Sequence, residues 1–317
     1  MKNKSMISKI TLGTAQLGMV YGIANKVRRL EPSNSAKILK VAFENGINCF
    51  DTSPSYGDSE KILGCFVENN KKGNFTIINK IPTIQIFKES ISFEEVYREV
   101  KTTIDKSIKR LKIEKIPIIL LHDPTDMHNH EGFVTKSLIQ LKKDGIVDKI
   151  GVSIYSPHEV KEFLEINEFD AIQIPINIFD NRLIKSGLLD DLIKTRKLIF
   201  VRSIFLQGIF FLDPYNLPPN LQIAKKPLIE LNKISLDSGI SINELALKFV
   251  RDLKGITSLV IGIDNLEQLK INIKLINSPS LPNEVSELIY KKFDKLPEEL
   301  INPSKWNKKD VDTFKFI

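Results

Sequence analysis

The alternation of short apolar runs with longer amphipathic segments predicts an α/β protein built as a single-domain (β/α)8 TIM barrel. Three observations carry that reading. Eight runs rich in Ile, Val and Phe recur along the chain, each only a few residues long and apolar enough for burial on both faces of a parallel sheet. A segment of helical periodicity follows every one of them, and the usual solution for that alternation is a closed barrel ringed by helices. The first run lacks the G-x-G-x-x-G of an open dinucleotide-binding sheet: Gly13 and Gly18 imitate the start of a phosphate loop, but Met19 stands where lysine is needed. An open doubly wound sheet is the alternative. The whole chain, 1–317, is read as one barrel with an appended C-terminal helix and a tail.

The elements follow in order. Strand 9–13 precedes helix 33–45, which ends at Gly46, a residue suited to a left-handed C-cap. Strand 47–51 precedes helix 58–69, and strand 75–80 precedes helix 92–111, where Ser92 and Glu95 have the spacing of a capping box. Strand 116–122 leads to helix 135–143, and strand 149–153 to helix 157–165, with Pro157 in the first helical position. Strand 171–174 leads to helix 187–195. Strand 198–203 is followed by two helices, 226–238 and 241–253, and strand 259–262 by helix 266–276. Segment 283–293 is the appended helix. The tail, 296–317, holds Pro297, Pro303 and the only tryptophan, Trp306, and is expected either to be disordered or to cover the barrel mouth.

Composition narrows the function classes. The net charge of +7 comes from lysines spread along the chain, with no basic block interleaved with aromatics, so nucleic-acid binding is not expected. No segment approaches the ~20 apolar residues of a membrane span, and the lysine-bearing N-terminus has no apolar stretch behind it. Cys49 and Cys65 are expected as core thiols in a reducing compartment, and the protein as cytoplasmic. His128 and His130, with Asp123, Asp126 and Glu131, are read as a solvated polar loop, and no metal is expected.

In a barrel of this kind the chemistry sits where strands end. The second strand ends in Asp51, the third in Lys80 and the fourth in His122, while Tyr56 lies in the loop after the second. Those four side chains suit carbonyl reduction. Hydride addition leaves an alkoxide that needs a proton. A tyrosine hydroxyl can supply it, and a nearby ammonium group lowers its ordinary pKa of ~10. An aspartate would keep the lysine charged, and a histidine would orient and polarise the carbonyl oxygen.

The segment Asp51-Thr52-Ser53-Pro54-Ser55-Tyr56-Gly57, followed by Ser59-Glu60 and Leu63-Gly64, closely resembles the signature of the aldo-keto reductase family. Leu12-Gly13-Thr14, Leu120-Leu121-His122, the stretch from Gly145 to Ser153, Gln173 with Asn177, Gln207-Gly208, and the stretch from Gly262 to Asn272 extend the likeness over nearly the whole chain. Gly-Val-Ser-x-Tyr-Ser-Pro and Val-Arg-Ser-x-Phe-Leu-Gln-Gly resemble a bacterial branch often linked to surface-polysaccharide or modified-sugar pathways.

The resemblance implies an NAD(P)H-dependent oxidoreductase acting on an aldehyde, ketone or keto-sugar, with Asp51, Tyr56, Lys80 and His122 as the catalytic set. The cofactor, NADP or NAD, would have its nicotinamide near Tyr56 and its carboxamide near Ser153 and Gln173. Its pyrophosphate would pass Ser203, Phe205 and Gln207, and its adenosine would meet Gly262, Gln268 and Asn272. Gly13, Thr14, Asp51 and Gly208 complete the contacts. Ile154 replaces an asparagine common in the family, and Arg202 stands where many relatives stack a tyrosine on the nicotinamide. Relatives that prefer NADP usually carry Lys or Arg near 262–268. Here Asp264 and Glu267 are found instead, which leaves room for NAD. Two alternatives stand beside this reading: a nucleotide-sensing regulatory protein on a reductase scaffold, and a barrel enzyme using Lys80 as a Schiff base. For a small-molecule substrate, Phe87, Arg182 and Trp306 are the candidate contacts, with Phe179, Phe210 and Phe211 as a possible apolar wall.

Overall fold

The computed structural model describes residues 7–23, 30–71, 73–84 and 91–306. Eight strands close into an all-parallel barrel in chain order. They are β1 (Ile10–Gly13), β2 (Cys49–Asp51), β3 (Thr76–Ile81), β4 (Ile116–Leu121), β5 (Val147–Ser153), β6 (Ala171–Pro175), β7 (Leu198–Arg202) and β8 (Ser258–Gly262). The ring closes where β8 pairs with β1, placing Gly13 beside Gly262. On the other side of β1, Gly13 pairs with Asp51, so the ends of β8, β1 and β2 lie side by side at one rim.

The alternation along each strand divides the core in two. Cys49, Ile78, Ile118, Leu120, Ala171 and Phe200 form one buried cluster within the barrel. Their sequence neighbours, such as Phe50, Ile77, Ile119, Ile172 and Ile199, join a larger cluster with the surrounding helices. Burial on both faces is why the strands read as continuous apolar runs.

The helices stand where periodicity puts them, and two caps form as their residues predict. Glu95 N donates to Ser92 Oγ at 3.2 Å while Ser92 N donates to Glu95 Oε2 at 3.1 Å, and Pro157 opens the helix Pro157–Glu165. One segment extends beyond the expected 135–143: Asn129–Lys143 includes a left-handed stretch at His130, Glu131 and Gly132. The helices Ala15–Gly18, Arg182–Lys185 and Glu298–Ile301 are single turns, too short to show a period.

One expectation changes. Cys65 is exposed rather than a core thiol, because it lies on the outer side of the helix Ser59–Asn69, whose Leu63, Gly64 and Phe66 face inward. The tail is packed as far as residue 306: Leu300, Ile301 and Trp306 are buried, and Glu298–Ile301 lies against the Pro219–Ala224 turn after β7. Residues 307–317 lie outside the described residues. Among those described, no helix is long and apolar enough to cross a membrane.

Candidate active site

The C-terminal ends of the strands bring together a buried ion pair and the groups around it. Lys80, on β3, is 1% exposed, and its ammonium donates to both oxygens of Asp51 at 2.6 and 2.7 Å and to the Thr52 carbonyl at 3.2 Å. Three donors thus meet three oxygens, and a charge that would be costly alone is neutralised. Asp51 takes a further hydrogen bond from Gln173 Nε2 at 2.8 Å, and Ser153 Oγ donates to Gln173 Oε1 at 3.3 Å. Four strand ends are linked in this way across the barrel mouth.

Tyr56 sits above the pair, with Lys80 Nζ 5.1 Å from its ring centroid. His122 packs edge-on against the same ring, centroids 5.9 Å apart, and its Nδ1 lies 3.5 Å from Ser53 Oγ. The four residues singled out by the sequence therefore meet. Their electrostatics differ from the expectation in one respect. Burial and the Asp51 carboxylate push the Tyr56 phenol above its ordinary range, and Arg202 is the cation that acts the other way. Lys80 was expected to acidify the phenol, but its charge is matched by Asp51 and it lies over the ring. Burial also lowers the Lys80 pKa against the opposing pull of Asp51. Burial, with the charges of Lys80 and Arg202, drives His122 down to about 3, so the imidazole is neutral at ordinary pH.

The turn carrying Tyr56 is held by main-chain contact. A Cβ on Gly18 would come 1.9 Å from the Tyr56 carbonyl oxygen, and one on Gly57 would come 2.4 Å from the Gly18 oxygen. Gly57 also has a φ of +58°, open to glycine at little cost. Beneath the turn, Thr14 and Thr52 hydroxyls converge on Ser59 Oγ, and Thr14 Oγ1 donates to the Asp51 carbonyl at 2.8 Å. Glu60 is buried, paired with Arg110, and accepts from Asn79 Nδ2 at 2.9 Å; Asn79 Oδ1 in turn accepts from the Lys80 amide at 2.8 Å.

Beside this cluster a cavity of about 520 Å³ crosses the C-terminal face of the barrel. Gly13, Thr14, Asp51, Tyr56, Gln173, Arg202, Ser203, Phe205, Gln207, Gly208, Gly262, Gln268 and Asn272 line it. Ser153 lies behind Gln173 and reaches the cavity only through it. Asp264, read from the sequence as a charge against a 2′-phosphate, also lines it, as do Gln16, Tyr21 and Asn243, which the sequence did not single out. Gln16 is held so close to Gly262 that a Cβ there would meet its amide at 2.4 Å.

The loop after β7 contains Ser203, Leu206 and Gln207, all with positive φ, followed by Gly208 at +92°. Backbone held in that region costs free energy and tends to mark functional loops. It meets the loop after β1, where Ile23 N donates to the Gln207 carbonyl at 2.9 Å and Gln207 Nε2 lies 3.4 Å from Tyr21 Oη. At the start of the helix Leu266–Ile276, Asp264 has one carboxylate oxygen, Oδ1, buried without a hydrogen-bond partner, and burial raises its pKa.

The candidate substrate contacts are dispersed. Arg182 bonds to both Asp180 oxygens at 2.8 and 2.9 Å and to the Tyr155 carbonyl at 3.0 Å, and it does not line the cavity. Trp306 folds back on its own segment, its indole N–H donating to the Glu299 carbonyl at 3.0 Å. Phe179 and Phe210 are core residues in edge contact with one another, whereas Phe211 is half exposed at the cavity. Phe87 lies outside the described residues.

Comparisons with known proteins agree with this fold. The chain is 23% identical to "Uncharacterized oxidoreductase YqkF" of Bacillus subtilis, over 88% of this chain and 90% of that protein. It is 23% identical to the D-arabinose 1-dehydrogenase of Saccharomyces cerevisiae, over 86% of this chain and 84% of the relative. The fold matches the aldo-keto reductase AKR11C1 of Bacillus halodurans with a TM-score of 0.69 and 21% identity, covering 90% of this chain and 92% of that one. The model of the Aldo/keto reductase family matches residues 9–293, and the chain belongs to that family as an oxidoreductase on a (β/α)8 barrel.

Proposed function

We propose that this protein reduces the carbonyl group of an aldehyde, ketone or keto-sugar with a nicotinamide nucleotide, and that Tyr56 hands over the proton. The observation that carries this reading is the meeting of Tyr56, His122 and the buried Lys80–Asp51 pair at the edge of a cavity large enough for a dinucleotide. The cavity suits that cofactor in its donor set: amides from Gln16, Gln173 and Asn272, hydroxyls from Ser203 and Tyr21, and a Gly13–Gly262 floor without side chains. Gln173, braced by Ser153, would hold the carboxamide end, and Gly262, Gln268 and Asn272 the adenosine end. When bound, the nicotinamide supplies hydride. The chain's own residues do the rest. Tyr56 enters protonated because burial and Asp51 disfavour its phenolate, and it donates to the oxygen that gains charge. His122, neutral, offers an N–H that orients that oxygen. The phenolate left behind is stabilised by the charge of Arg202.

Tyr56→Phe tests the mechanism. The variant is expected to lose roughly 10²-fold or more in kcat while still binding the nucleotide. Retention of most of the activity would remove the tyrosine from the mechanism. The dehydrogenases of D-arabinose and L-galactose among the relatives favour a sugar-derived carbonyl as the small-molecule substrate. A cytoplasmic setting is part of the same proposal.

The preferred nucleotide is proposed to be NADH. Among the described residues Arg202 is the cation lining the cavity, whereas Asp264, which also lines it, carries a carboxylate beside Gln268. A ribose hydroxyl can donate to the Asp264 carboxylate; a 2′-phosphate would be repelled by its charge. Fluorescence titration with both reduced nucleotides decides the matter, and NADPH binding tenfold tighter than NADH would overturn it.

A further inference from the structure

We propose that Arg202 is an anion-binding residue of the carbonyl subsite, so that the substrate is a carbonyl compound carrying a carboxylate or phosphate group. The inference rests on the reading of Tyr56 as the proton donor and goes beyond it by naming the substrate class.

The charges around Tyr56 do not balance. Lys80 is matched by Asp51 within hydrogen-bond distance, and His122 is neutral. Arg202, at the end of β7, lines the same cavity as Tyr56 and has no carboxylate partner among the described residues. It closes β7 on the same rim, and its charge acts on Tyr56, Lys80, His122 and Tyr21. Among the described residues the site therefore holds one uncompensated positive charge, that of Arg202.

The guanidinium is also built in. Nη2 donates to the Ile154 carbonyl at 2.7 Å, Nη1 donates to Ser203 Oγ at 3.0 Å, and the plane lies 4.5 Å from the centroid of the Tyr155 ring. These contacts fix the group without neutralising it, and leave N–H donors of the fork for a ligand oxygen. Arg182, the other arginine beside Tyr155, is the contrast: both oxygens of Asp180 hold its fork. A ligand oxygen bound to a fixed, partly buried guanidinium is worth about tenfold to a hundredfold in affinity.

The test uses two matched pairs of aldehydes with NADH or NADPH: 4-oxobutanoate against butanal, and glyceraldehyde 3-phosphate against glyceraldehyde. The wild type is expected to prefer the charged member of at least one pair by tenfold or more in kcat/KM, and which pair it is separates carboxylate from phosphate. In Arg202→Gln that ratio should fall to within about threefold, with KM carrying most of the change. Arg202→Lys should keep part of it, since a point charge remains without the fork. No preference in the wild type, or an unchanged preference in Arg202→Gln, overturns the proposal. So does a tenfold loss of NADH affinity in Arg202→Gln with the selectivity ratio intact, which would assign the charge to the cofactor. If neither member of either pair is reduced, the reductase reading itself is in question, and calorimetric titration with succinate and with inorganic phosphate decides the anion site separately. Binding of either probe to the wild type that weakens tenfold or more in Arg202→Gln sustains the site; no binding, or equal binding, ends it.

Discussion

The cavity floor and the cavity rim are built on different terms. On the floor, Asp51, Lys80 and Gln173 stand on strands, are almost fully buried, and have their polar atoms matched by one another. At the rim, among the described residues, Arg202 carries an unmatched charge and Asp264 has a carboxylate oxygen without a partner, and Phe211 and Ile271 are 50% and 44% exposed. The loop between them runs through left-handed backbone at three non-glycine residues. A satisfied, rigid floor suits a reaction step common to many substrates. An unsatisfied rim suits the choice of ligand, since its polar atoms gain most when something binds.

That contrast can be broken most severely at the ion pair. Lys80→Met would leave the Asp51 carboxylate buried without its cation, and should cost about 3–5 kcal/mol of stability, read as a lower urea midpoint. If the midpoint hardly moves, the floor is less closed to water than its burial indicates. Acid is the next test. The folded pKa of His122 is about 3 against about 6.5 unfolded, so the folded state disfavours the charged imidazole. Its contribution is complete above pH 6.5 and is lost as pH falls towards 3. By pH 4 the loss reaches up to about 3 kcal/mol, and His122→Asn should be correspondingly less sensitive to acid than the wild type. Equal sensitivity of the two proteins would place the imidazole in water.

Gly18→Ala comes third. Overpacking against the Tyr56 carbonyl should cost about 1–3 kcal/mol and lower kcat more than it raises KM, because the phenol moves while the cavity remains. A variant with wild-type kcat would show that the turn tolerates displacement. The smallest effect belongs to the rim. Asp264→Ser should shift the NADPH-to-NADH affinity ratio by about tenfold toward NADPH, about 1.4 kcal/mol, without altering the melting temperature much. A ratio that stays put would separate Asp264 from the ribose.

The same division explains what could be read from sequence. Asp51, Lys80 and His122 were legible because each is a polar residue closing an apolar run, and strand ends in a barrel converge. Tyr56 followed from its place after β2. The strand ends that line the cavity were legible for the same reason. Gly18 and Gln16 were not, since their roles depend on contact with Tyr56 and Gly262, far along the chain, and nothing local distinguishes them. Arg182 and Trp306 were drawn to the mouth by residue type alone; partners at Asp180 and Glu299 hold them elsewhere. The direction of the Tyr56 shift was missed because the proximity of a cation was weighed without the carboxylate already matching it.

The backbone contact between Gly18 and Gly57 has an evolutionary corollary. The phenol is positioned by peptide meeting peptide, so no side chain on the outer surface of that turn is responsible for its aim. A library randomised at Pro54 and Ser55 should retain many active clones, while positions 18 and 57 should return almost nothing but the parent residue. Lineages descending from this protein would be free to repaint the approach to their chemistry and unable to relocate it.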